Sequence, residues 1–293
     1  MDRIQAAIAR ARTAREAVLA GHTAPGPQPA AQPAVSPRPA DPVPEPAKST
    51  TDQSWDALQW FEPDPAHLTK RRIVTRESGP KSAPFDVLRT RALQQMSAQG
   101  WKRLAVTSPG PGCGKSTVTM NLAFSLARRP DIRTLVIDLD LRRPMLANLL
   151  GIKDRHEISS VIRGTSDARS QIVRVADNLV FATTRTPVHD PAELLQGRRI
   201  GDMLTRLEED FAPDVILFDL PPMMVSDDAI AFMPNADCAL MIAAAEQSTL
   251  SQVDICEKEL AAQTSVLGVV LNKCNHQSEG QRYGYAYGSD VDG

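Results

Sequence analysis

The residues with the most chemical content lie in one short segment, Ser108-Pro109-Gly110-Pro111-Gly112-Cys113-Gly114-Lys115-Ser116-Thr117. Glycines at 110, 112 and 114 allow successive backbone N–H groups, that of Cys113 among them, to turn inward around phosphate oxygens. A helix opening at this point adds the positive end of its dipole. Lys115 then supplies a cation for the β and γ phosphates of ATP, the Ser116 hydroxyl can ligate Mg²⁺, and Thr117 falls near the α-phosphate. The strict spacing asks for Gly where Pro109 stands, but the Gly-x-Gly-Lys-Ser core is intact. Two carboxylate positions complete the set. The segment VIDLDLR, 136–142, carries Asp138 and Asp140 two residues apart, so both project from one face of a pleat where a strand runs out. The segment VILFDLPP, 215–222, ends an apolar run in Asp219, the position of a carboxylate that holds Mg²⁺ or its waters. A single aspartate at a strand end is commonly just a turn cap. Three such sites in chain order point to phosphoryl chemistry.

Positioning these groups requires a sheet. Residues 103–107, 134–139, 178–183, 215–219, 238–243 and 267–271 read as short, continuously apolar strands. Helical spacing occupies 116–128, 198–211 and 250–262 between them. Apolar strands separated by helices predict an α/β fold, a doubly wound, mostly parallel sheet covered on both faces, with ligands at the carboxyl ends of its strands. Upstream, Ile4, Ile8, Ala11 and Val18 suggest a short helix over 2–20, marginal by itself. Residues 22–50 contain nine prolines and cannot form a core, so a linker is expected, taken to run to residue 79. The folded domain is expected over 80–275 and a polar, Gly-rich tail over 276–293.

The net charge of −2 gives no global attraction for nucleic acid or an anionic membrane. The basic run Lys70, Arg71, Arg72, Arg76 reads as a solvated face. Four scattered cysteines, without CxxC spacing or clustered His, argue against zinc and a disulfide framework and suit a reducing cytosol. No apolar stretch approaches the roughly 20 residues of a membrane span. A soluble protein, reaching membranes only through a partner, is the expectation.

With TSPGPGCGKST, LVIDLDLRRP (135–144), GIKDRHEISSVIRG (151–164), DPAELL (190–195), VILFDLPP, the Asp228-Ala229 pair and LGVVLNK (267–273) assembled, the chain resembles the bacterial tyrosine kinase family of exopolysaccharide and capsule loci. The likeness is to its cytoplasmic type, covering residues 85–272. It implies a protein-tyrosine autokinase with ATP and Mg²⁺. Lys115 and Ser116 would hold phosphate and metal, Asp138 would be the base on the attacking tyrosine, and Asp140 and Asp219 would organise the metal. Arg142 falls on the family's Arg after the paired aspartates. Asn272 would read adenine. It further implies a separately encoded chain-length-determinant (polysaccharide co-polymerase) membrane partner and a peripheral place at the inner face of the plasma membrane. Autophosphorylation in trans would fall on a C-terminal tyrosine cluster. All three tyrosines of this chain, Tyr283, Tyr285 and Tyr287, lie in its tail. Three departures stand out: Cys113 replaces a frequent Glu, the tyrosine cluster is short, and Ala83 and Asp86 replace the first two residues of the Glu-x-x-Arg-x-x-Arg assembly motif, of which only the last remains, at Arg89. A nucleotide-dependent switch of the same pathway and a partitioning-type ATPase remain the alternatives. The tyrosine tail favours the kinase, and the altered assembly motif favours the switch.

Overall fold

A computed structural model describes residues 49–274. The expected helix over 2–20, the Pro-rich segment to residue 48 and the tail with Tyr283, Tyr285 and Tyr287 lie outside the described residues. Eight strands form a single sheet: β1 (Gln59–Trp60), β2 (Arg103–Thr107), β3 (Thr134–Asp138), β4 (Ile172–Ala176), β5 (Leu179–Ala182), β6 (Val215–Asp219), β7 (Cys238–Ala244) and β8 (Ser265–Asn272). Their spatial order is β1-β4-β5-β3-β6-β2-β7-β8. Every neighbouring pair is parallel except β4 with β5, so β1 and β4 run against the other six.

The mostly parallel sheet read from the apolar runs is present, and its pleat explains why those runs are continuous. Val136 and Leu217 enter one core, whereas Leu135, Ile137, Ile216 and Phe218 enter the other. With helices on both faces, neither parity of side chain meets water. Strand β4 escaped the sequence reading because Arg174 interrupts its run.

Ten α-helices accompany the sheet among the described residues: α1 (Thr50–Asp56), α2 (Pro65–Lys70), α3 (Ala83–Gln99), α4 (Lys115–Ala127), α5 (Leu146–Leu150), α6 (Ile158–Ile162), α7 (Pro191–Gln196), α8 (Arg198–Phe211), α9 (Asp228–Phe232) and α10 (Leu250–Ala261). In α8, Ile200, Met203, Leu204, Leu207 and Phe211 are buried at helical spacing, the amphipathic pattern its sequence predicts. Helix α4 is sequestered nearly all round, including Lys115 at its first position.

The expected linker reached residue 79, but the folded unit starts near residue 49, with α1, β1 and α2 inside that span. Ser49 and Asp52 cap the start of α1 reciprocally, each side chain accepting the other's backbone N–H at 3.1 Å. Trp55 is 2% exposed, its Nε1 donates to the Phe211 carbonyl at 2.8 Å, and its ring meets that of Phe211 edge-on. One aromatic anchor in a polar heptapeptide leaves no periodic signal, which is why sequence pattern missed α1.

Helix α3 carries the altered assembly motif, and the structure shows how its charges are spent. Asp86 accepts from the Ser125 hydroxyl at 2.7 Å and pairs with Arg128, while Arg89 donates to the Ser125 carbonyl at 2.8 Å. Both side chains are mostly covered and tie α3 to the end of α4.

Candidate active site

Strand register brings the acids together. Asp138, the last residue of β3, pairs with Asp219, the last of β6, and Asp219 pairs on its other side with Val106 of β2. Beyond β2 the chain enters the glycine loop and then α4, whose first residue is Lys115. Lys115 is 8% exposed, and its Nζ lies 2.7 Å from Asp140 Oδ2 and 3.7 Å from Asp219 Oδ2. Burial works to lower the affinity of this amine for its proton, but the Asp219 and Asp140 carboxylates outweigh it and the pKa rises.

The two strand-end acids shift upward. Burial, then the charge of Asp219, pushes Asp138 well above the usual carboxylate range; the amide of Leu146 pulls the other way. Asp219 is raised by burial, with Lys115 opposing. Asp138 Oδ2 accepts from the N–H groups of Met145 and Leu146 at 3.1 and 2.9 Å, fixing the start of α5. Asp138 Oδ1 and Asp219 Oδ2 are buried without a hydrogen-bond partner.

Of these two oxygens, Asp219 Oδ2 tests the site for Mg²⁺. Buried acceptors are normally satisfied. A strand-end carboxylate oxygen left unsatisfied, within reach of the Ser116 hydroxyl, fits Mg²⁺, which is bound through one or two carboxylates, water and substrate phosphates. Ser116, Asp140 and Asp219 are the residues at hand.

The loop itself is built from behind. Gly112 and Gly114 have φ of 76° and 90°, in the left-handed region that side chains avoid. A Cβ on Gly114 would stand 2.4 Å from Asn272 Nδ2, the group that donates to the Cys113 carbonyl at 2.9 Å. Asn272 therefore braces the loop from the end of β8. Gly110 shows no such demand, since a Cβ there meets nothing within 4 Å. Cys113 is buried, with Sγ 3.5 Å from the Ser248 hydroxyl, and Gln247 donates to the Pro111 carbonyl at 2.9 Å. Ser116 and Thr117 are half-buried at the start of α4.

Several residues of this constellation were not singled out in the sequence. Thr119 donates to Asp219 at 3.3 Å; it lies four residues after Lys115, a spacing that puts both on one face of α4. Gln247 and Ser248 lie more than a hundred residues from the loop they touch, and no local pattern points to them.

Arg142 gains a defined place. Its guanidinium grips Asp228 with two bonds, Nε to Oδ2 at 2.5 Å and Nη2 to Oδ1 at 3.0 Å, and Ser226 also donates to Asp228. Asp228 is 1% exposed. The fork locks the segment after Asp140 onto α9 and accounts for two motif residues at once. Arg142→Ala is expected to cost about 3 kcal/mol, because a buried carboxylate loses its cation. Adding Asp228→Asn should recover much of that, and urea denaturation of the four proteins of the cycle measures the coupling. Additive effects would show that the pair contributes nothing.

A family model described as ParA, NUBPL iron-transfer P-loop NTPase, matches residues 101–287. Tyrosine-protein kinase CpsD of Streptococcus pneumoniae serotype 4 is 30% identical over 184 residues, 61% of this chain and 79% of CpsD. EpsB of Ralstonia nicotianae is 30% identical over 224 residues, 76% of this chain, but the chain spans only 29% of that longer relative. The crystal structure of the VpsO kinase domain superposes with a TM-score of 0.59 at 26% identity, covering 67% of this chain and 97% of the domain. Among the described residues no helix is long and apolar enough to cross a membrane. With the glycine loop, its lysine and the strand-end acids all inside the matched region, the chain belongs to the ParA-type P-loop NTPases and, among them, to the bacterial tyrosine kinase family.

Proposed function

We propose that the chain is an ATP-dependent protein-tyrosine kinase that modifies the tyrosines of its own C-terminal segment. The observation that carries this is the meeting of Lys115 with Asp138, Asp140 and Asp219 at the carboxyl ends of adjacent strands, behind a left-handed glycine turn. Lys115 would exchange Asp140 for the β and γ phosphate oxygens, and the loop amides would take the rest of the triphosphate. Mg²⁺, held near Ser116, Asp140 and Asp219, would supply charge neutralisation on those oxygens. A tyrosine oxygen of a second copy attacks the γ phosphorus in line while the bond to the β–γ bridging oxygen breaks and ADP leaves. The phenolic proton passes to Asp138 Oδ1, the oxygen that the α5 amides leave without a partner. A loose transition state lets that proton move late, so a carboxylate is a sufficient acceptor for a phenol.

The same reading places the protein at the inner face of the plasma membrane, held by a separately encoded chain-length-determinant protein and regulating exopolysaccharide or capsule assembly. Asn272 would border the adenine from its place behind the loop. No nucleic acid is called for.

The test is mass spectrometry of the full chain after incubation with Mg·ATP. Phosphate is expected on Tyr283, Tyr285 or Tyr287, and Asp138→Asn should slow its arrival about a hundredfold while Mg·ATP affinity holds. The internal use of Asp86 and Arg89 favours a second reading, a nucleotide-dependent switch without a family-style ring. Wild-type protein that stays unmodified, even with the cytoplasmic segment of its membrane partner added, would establish the switch instead.

A further inference from the structure

The two edges of the sheet are unlike. At one end β1 is two residues long, whereas at the other β8 runs for eight, Ser265–Asn272, without a charged residue or a proline. Short strands, charges and prolines are what normally blunt an edge. Among the described residues no strand pairs with β8 on the side away from β7. The Asn272 carbonyl accepts from the Ala245 N–H just past β7, so the backbone of Asn272 faces inward. Alternation along the strand then turns the N–H and C=O groups of Val269 and Leu271 to the open edge. The side chains of these two residues are also uncovered, Val269 being 44% and Leu271 61% exposed. Val270 between them packs into one core, so Val269 and Leu271 lie on the opposite face, that of α10, whose Cys256 and Leu260 belong to the other core.

The chain leaves β8 toward that open edge. Lys273 takes a φ of 59°, a left-handed turn conformation, and the Cys274 thiol comes back to the Leu271 carbonyl at 3.6 Å. Eight residues, Asn275 to Arg282, then separate Cys274 from Tyr283. They include Asn275, Ser278 and Gly280, and they exceed the two to five residues of an ordinary hairpin loop. After them comes Tyr283-Gly284-Tyr285-Ala286-Tyr287. Strict alternation of an aromatic with Gly or Ala has the period of a strand and would put all three rings on one face. Two uncovered apolar side chains of one parity on β8 are matched by aromatic side chains of one parity in the segment that follows it. A short tether also keeps that segment at an effective concentration near millimolar, which favours it over a second copy as the occupant of the edge.

We propose that residues 282–288 add a ninth strand to the sheet, antiparallel to β8 of the same chain, with Tyr283 and Tyr285 in hydrogen-bonded pairs opposite Leu271 and Val269. Aromatic rings set across from aliphatic side chains are favourable cross-strand pairs, and the open N–H and C=O groups of β8 gain partners. Docked in this way, the tyrosines are withheld from the nucleotide site of a second copy, and the edge becomes a resting place for the acceptor segment. That consequence rests on the kinase reading; the strand pairing does not.

The test is amide hydrogen exchange, resolved by residue, on the phosphatase-treated, nucleotide-free full chain and on a variant ending at His276. Val269 and Leu271 should exchange at least about tenfold faster in the shortened chain, while Val270, whose N–H faces β7, should not change. In the full chain Tyr285→Pro, which removes an N–H from the proposed ladder, should speed Val269 and Leu271 likewise, and Tyr285→Phe should leave them protected. Equal exchange in the full and shortened chains overturns the proposal. So does protection in both chains that fades on dilution, the mark of a second copy on the edge. Because no nucleotide is present, a chain that never forms phosphotyrosine can still pass, and an active kinase can still fail.

Discussion

Lys115→Met should weaken Mg·ATP binding about a hundredfold, abolish phosphotyrosine formation and destabilise the nucleotide-free protein by about 3 kcal/mol or more. The first two effects follow from losing the only side-chain cation in the glycine loop. The third is less intuitive and comes from the geometry. The Lys115 ammonium lies within 4 Å of Asp140 and Asp219, and Asp138 stands beside Asp219 on the next strand. Removing the cation leaves buried carboxylates facing one another, which costs more than the ion pair itself contributes. Isothermal calorimetry reads the affinity and urea unfolding at neutral pH reads the stability. Lys115→Arg restores the charge without the slender shape, so it should return part of the stability and little of the binding. Should Lys115→Met unfold at the same urea concentration as the parent, the ammonium does not hold the acids together.

Trp55→Ala should cost about 3–5 kcal/mol, the range for deleting a large buried aromatic side chain. Its indole is almost wholly covered, meets Phe211 edge-on and satisfies that residue's carbonyl. Arg133 also stacks over its face, 5.8 Å from the ring centroid. A loss of that size is a large part of the 5–15 kcal/mol that stabilises a typical domain. Trp60, half-exposed on the edge strand β1 over Arg174, is the internal comparison; its replacement by Ala should cost under about 1 kcal/mol. Thermal and urea unfolding of both variants decide the matter. If the two substitutions have equally small effects, residues 49–60 are an appendage and not part of the domain.

What the sequence determined unaided is local and periodic. Continuous apolar runs announced β2, β3, β6 and β7 nearly to the residue, because a strand buried on both faces leaves no room for polar interruption. The glycine loop was legible because its residues occupy ten consecutive positions, Asp138 and Asp219 because each closes such a run, and Asp140 because it follows Asp138 at the same parity. What only tertiary structure decided is whatever depends on distance across the chain. Strand register made Asp138 and Asp219 neighbours, and long-range contacts set Asn272, Gln247 and Ser248 behind the loop and Arg142 upon Asp228. Helix α1 belongs with these. Its single tryptophan finds a partner only when α8, a hundred and fifty residues later, has folded beside it, and no local pattern can encode a contact whose other half is so far along the chain.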